Sequence, residues 1–117
     1  MPITLPKDAD ALLCVLYREY LTRRMHRIPI DQAAYFGNAA RIKENFLPGW
    51  LPQDIVTACR WLARHELISA LFAEDSVDEV QLDEAGLVYM ETRFGQKAEN
   101  VAKWITELAQ LILSPLK

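Results

Sequence analysis

A mainly helical domain with one small β-hairpin is the fold class this sequence predicts, and three observations lead there. Apolar residues recur at helical spacing over residues 8–24, 52–66, 83–94 and 96–113. Two short runs rich in branched and aromatic residues, LISALF and VDEVQL, flank the polar stretch AEDS at residues 73–76. Proline and glycine fall between these segments, at Pro29, Gly37, Pro48, Gly49, Pro52 and Gly95, where breaks are needed. With 117 residues, 51% of them hydrophobic, the chain suffices for one core.

Leu12, Leu13, Leu16, Tyr17 and Tyr20 carry the first helix, with Arg18, Glu19, Arg23 and Arg24 largely between them and Asp8 and Asp10 favouring its amino end. In MHRIPI, Pro29 pushes Ile28 towards an extended backbone, and Ile28 and Ile30 flank it as a short strand would. A brief strand is therefore expected there. Phe36-Gly37-Asn38 ends one helical turn and caps the next, so the second main helix is expected over residues 38–46. Pro48 to Pro52 is a firm break that puts Pro52 near the first position of the following helix. On that helix Ile55, Cys59 and Leu62 share one face, and Gln53, Thr57, Arg60, Trp61 and Arg64 lie opposite. Asp83 then opens a helix whose stripe is Leu87, Met90 and Phe94. The last helix places Val101, Trp104, Ile105, Leu108, Leu111 and Ile112 on one wide apolar stripe that something must cover.

The formal net charge is −3, which gives no general attraction to nucleic acid or to an anionic membrane. Its distribution is uneven: residues 1–65 hold nine Lys or Arg against six Asp or Glu, and residues 66–117 hold four against ten. The two cysteines, Cys14 and Cys59, sit inside apolar helical patterns as small buried hydrophobes rather than as a disulfide framework. The expected compartment is reducing and cytoplasmic, since MPITLPKDAD has no basic region leading into an apolar one and no run is long enough for a membrane span.

Two local motifs carry a resemblance. RWLARHELI, residues 60–68, resembles the end of a recognition helix entering a wing, and VQLDEAGLVYME, residues 80–91, resembles the second wing strand running into the next helix. With the order helix, strand, helix, helix, strand, turn, strand, helix, the chain resembles the winged helix-turn-helix superfamily over residues 8–94. Its size and final amphipathic helix are similar to short prophage-associated proteins of the YjcQ type. Glu66 stands where many members have glycine, which leaves the exit angle of the helix before it open. The resemblance implies a winged-helix domain over residues 1–95, followed over 96–117 by a helix that packs on the domain or forms a dimer seam.

It also implies a DNA-binding regulator. The helix opened by Pro52 would lie in the major groove, with Gln53, Thr57 and Arg60 at base edges or phosphates, Trp61 beside them and Arg64 on the backbone. Arginine can fork onto guanine, glutamine can pair with adenine, and threonine can touch a thymine methyl. The plainer alternative is that any exposed helix carries such residues. Against DNA stands the wing, with Glu74, Asp75, Asp78 and Glu79 and no Lys or Arg. Arg18, Arg23, Arg24, Arg27, Arg41 and Lys43 would have to supply the missing charge. The competing function is a protein-interaction module presenting Trp61 and the acidic wing, with Trp50 a packing residue.

Isolated His26 and His65 lack zinc-ligand spacing, and the acidic run lacks calcium-loop spacing, so neither a metal nor a cofactor is expected. No nucleophile with its base, phosphate-cradling glycine loop or dinucleotide fingerprint is present, which points away from an enzyme. The stripe from Val101 to Ile112 is expected at a homodimer seam, with folding back onto the first helix as the alternative.

Overall fold

The core is built around the first helix. A computed structural model describes residues 4–95 and 98–107, and in it α1 (Lys7–Met25) has every residue from Ala11 to Tyr17 buried. A helix enclosed on all sides is a central element rather than an amphipathic surface one. Packed on it are α2 (Ile30–Ala33), α4 (Pro52–Arg64) and α6 (Ala98–Glu107), while α3 (Ala39–Phe46) rests on α4. Asp8 and Asp10 in its first turn and Arg23 and Arg24 in its last oppose the helix dipole favourably.

Three strands, β1 (Tyr35–Gly37), β2 (Ile68–Phe72) and β3 (Val77–Leu82), form an antiparallel sheet in the order β1-β3-β2. The fold is thus mainly helical with a small sheet, and the hairpin falls where the sequence placed it. The first strand does not. Ile28–Ile30 was the expected position, but MHRIPI is consumed in closing α1. Ile28 N–H donates to Arg23 O at 3.1 Å and Arg27 N–H to Arg24 O at 3.0 Å, with Arg27 at φ 63°. This is the paired closure of a Schellman turn with arginine in the left-handed position. Pro29, extended at ψ 153°, then starts α2, and the strand forms only afterwards, at Tyr35.

α4 ends the same way, which answers the question posed by Glu66. Glu66 N–H donates to Ala63 O at 2.9 Å and Leu67 N–H to Leu62 O at 3.0 Å, with Glu66 itself at φ 61°. The glutamate adopts the left-handed geometry that glycine takes at lower cost, a penalty of about 1 kcal/mol. Leu62 and Leu67, on either side of the turn, are both buried in the same core. A third residue of this kind, Glu79 at φ 52°, marks a bulge in β3, where the register against β2 shifts between Ser69 and Leu71.

The remaining joints match their local chemistry. Asn38 Oδ1 accepts from Arg41 N–H at 2.9 Å and caps α3, and Pro52 occupies the start of α4. α5 (Glu84–Phe94) follows Asp83, buries Met90 on the expected stripe and stops at Gly95, φ 70°. It is tied to α1 twice: Tyr17 Oη donates to Gly95 O at 2.8 Å, and Arg93 forks onto the Asp10 carboxylate.

α6 corrects one expectation. Val101, assigned to a dimer seam, is fully buried within the chain because α6 lies against α1. Trp104 and Ile105 fall within α6, and Leu108, Leu111 and Ile112 lie outside the described residues.

Cys14 and Cys59 are free and buried, and burial is the main reason both thiols are pushed up from 9.0 to about 12; the Asp10 carboxylate adds to the effect at Cys14. Burial also raises the Tyr17 hydroxyl from 10.0 to about 12, with Glu91 contributing. The folded chain holds these protons more tightly than the unfolded chain. Their stabilising contribution is therefore complete below the thiols' ordinary 9.0 and is lost as pH climbs towards 12. Urea titrations at increasing alkaline pH are expected to show stability falling by a few kcal/mol across that window. Stability constant up to pH 11 would mean that the thiols reach solvent.

Candidate nucleic-acid interface

α4 divides cleanly. Ile55, Val56, Ala58, Cys59 and Leu62 are buried, whereas Gln53, Thr57, Arg60 and Arg64 are exposed. The separation follows from the roughly 100° step per residue, which the Pro52 start leaves undisturbed over three turns. Trp61 departs from its expected place: it is half-buried and packs against the core, because it lies about 60° round the helix from buried Ala58, at the border of the apolar face. Trp50 is buried at 4% exposure, as a packing residue in the loop before the helix. The two indoles therefore do not form one exposed aromatic patch.

Arg60 is held by the hairpin. Its guanidinium lies 5.2 Å from the Phe72 ring centroid, and its Nη2 donates to Ala73 O and Glu74 O, both at 3.4 Å. These contacts brace α4 against the β2–β3 turn and place a cation beside the carboxylates that follow β2. Glu74, Asp75, Asp78 and Glu79 are all exposed. The same turn approaches α3: Asp75 and Ser76 face Lys43, Val56 and Pro52 across a shallow groove.

Several of the cations expected to supplement this surface are already engaged. Arg23 pairs with Glu19 at 3.0 Å, donates to Tyr35 O at 2.7 Å and covers the Phe36 ring at 4.7 Å from its centroid. Arg24 donates to Ile28 O at 3.0 Å, and Lys43 donates to Pro48 O at 2.7 Å. Arg18, Arg27, Arg41 and Arg64 are exposed. The polar face of α4 is thus accessible, but the positive charge around it is thin.

Two apolar residues beside this surface escaped the sequence reading. Leu51, before α4, and Leu71, in β2, are each 60% exposed. Period-two alternation along ISALF puts Leu71 on the face opposite Ile68, which was the signal available for it.

Among the described residues no cluster of His, Cys, Asp or Glu is arranged to hold a metal ion, and no helix is long and apolar enough to cross a membrane. Comparison with known protein families, with functionally described proteins and with solved structures returns no significant match.

Proposed function

We propose that this chain is a winged-helix protein that binds duplex DNA through the exposed face of α4, with the β2–β3 hairpin as a wing that braces that helix instead of gripping phosphate. The observation that carries the reading is the clear outward face of α4, along which Gln53, Thr57 and Arg64 are exposed from the first turn to the last. The strand order β1-β3-β2, with β1 contributed from between α1 and α3, supports the same architecture. Because few cations are available and the wing is acidic, affinity rests on a small number of phosphate contacts.

Fluorescence anisotropy on a random duplex tests this. Weak binding in the micromolar range is expected at low salt, with a shallow salt dependence. Arg64→Ala should weaken it across all sequences and reduce the salt slope by about one phosphate contact. Gln53→Ala should instead relax sequence preference once a preferred site is known. Absence of binding at tens of micromolar protein in low salt would remove the duplex reading.

A second reading has its own observation. With Arg60 engaged by the hairpin and four carboxylates exposed around the turn, the wing suits a basic protein partner better than a polyanion. Reversing Glu74 and Asp75 to lysine separates the two readings: duplex affinity rises if α4 sits on DNA, and capture of a basic partner is lost if the wing is the docking element.

A further inference from the structure

We infer that the trough between α5 and the junction of α1 with α2 is a docking site for a basic amphipathic helix of a partner protein. The trough shares no residue with α4 or with the β2–β3 turn, so this site is independent of duplex binding.

Two adjoining hollows of about 380 and 690 Å³ share Arg24 and Ile30 and form one trough. One wall is α5. Glu84, Leu87, Val88 and Glu91 follow the i, i+3, i+4, i+7 spacing of a single helix face, with Glu84 and Leu87 lining one hollow and Glu91 the other. The opposite wall is the end of α1 and the start of α2, where Met25 is 76% and Ile30 54% exposed, and Val88 across from them is 55% exposed. Three of the seven large apolar residues exposed among the described residues thus gather along this trough, which is a patch and not the usual scatter.

Backbone pairing and charge select the occupant. Leu82 N–H donates to Ala34 O at 2.9 Å, and at the adjoining β1 edge Arg23 donates to Ala33 O and Tyr35 O. An incoming segment therefore finds no strand edge to extend and must satisfy its own backbone, which a helix does. From Glu84 to Glu91 the wall runs about 10 Å, or two turns of a partner helix, whose apolar anchors meet Met25, Ile30, Leu87 and Val88. Four carboxylates, Asp31, Asp83, Glu84 and Glu91, border the trough against one guanidinium, Arg24, which already donates to Ile28 O. Glu84 and Glu91 are exposed, and neither joins an ion pair among the described residues. The complementary helix is basic, with Lys or Arg flanking its apolar stripe at the spacing of those two glutamates.

Calorimetric titration of the full chain with a short amphipathic helix of leucine and lysine tests this, with the same peptide carrying glutamate for lysine as control. Binding of the lysine peptide that weakens with salt is expected, and none of the glutamate peptide. Met25→Gln with Val88→Gln should weaken binding roughly tenfold, and both side chains are exposed enough for the fold to stand unchanged. Glu84→Lys with Glu91→Lys should reverse the preference, so that the chain takes the glutamate peptide instead. Lysine-peptide affinity unmoved by either pair, or lost on reversing Glu74 and Asp75 at the wing, would overturn the proposal, as would no binding at up to about millimolar peptide. Binding that appears only with Leu111→Glu and Ile112→Glu would give the trough to the chain's own end. A dimer that Met25→Gln with Val88→Gln dissociates would give it to a second copy, and either result overturns a partner helix.

Discussion

Gly86→Ala is expected to destabilise the protein by about 3 kcal/mol or more, although alanine is the better helix former by about 1 kcal/mol. Gly86 sits in the first turns of α5, and a methyl group built on it would lie 2.1 Å from the carbonyl oxygen of Leu67 and 3.0 Å from its carbon. Both are backbone atoms, so no flexible side chain can swing aside. Leu67 is itself fixed: its N–H closes α4 by bonding Leu62 O, and its carbonyl accepts from Asp83 N–H. Relief requires α5 to lift away from the start of β2, which would withdraw buried Met90 and strain the link to α1. Steric cost therefore exceeds helix propensity. Urea unfolding checks this directly, and an alanine variant as stable as the parent would show that α5 can shift freely.

Asp10→Ala is expected to cost about 2 kcal/mol. Arg93 Nη2 meets Asp10 Oδ2 at 3.0 Å while Nη1 bonds the other oxygen, a two-pronged contact between α1 and α5 with the side chains only 16% and 23% exposed. Removing the carboxylate takes the fork away from a largely buried guanidinium that lies 4.6 Å from the Phe94 ring centroid. The partial exposure keeps the cost below that of a fully buried pair. Arg93→Met in the Asp10→Ala background should recover part of the loss, since the cost of desolvating the guanidinium then disappears. Additive losses in the two single variants would mean that the fork contributes little beyond packing.

The helices were legible because their signals are local. Apolar spacing, the Asn38 cap and the Pro52 start act within a few residues, and the observed bounds follow them closely. β1 was not, because Tyr35-Phe36-Gly37 follows a helix-prone run and becomes a strand only by pairing with Gln81 and Val80 of β3. The enclosure of α1 was equally hidden, since exposed Arg18 and Arg24 suggested an open face that its middle turns do not have. At the candidate site the exposure of Gln53, Thr57 and Arg64 could be read from a helical wheel. Arg60 shows the limit of that method: its partners are backbone carbonyls at Ala73 and Glu74, which no residue pattern announces. Trp61 was misplaced because residues at the border of a helical stripe turn inward or outward according to what stands next to them.

The central position of α1 carries a consequence for how the chain is made. Synthesis delivers this helix before the elements that cover it, and Tyr17 waits for a carbonyl 78 residues later and Asp10 for a guanidinium 83 residues later. The hairpin, by contrast, closes within the fifteen residues from Ile68 to Leu82. On the ribosome the most deeply buried helix therefore emerges well before its last partners, so part of its surface stays uncovered until α5 and α6 follow. Nascent-chain chaperones that recognise exposed leucine-rich segments would meet this protein at α1, and release from them would track the emergence of α5.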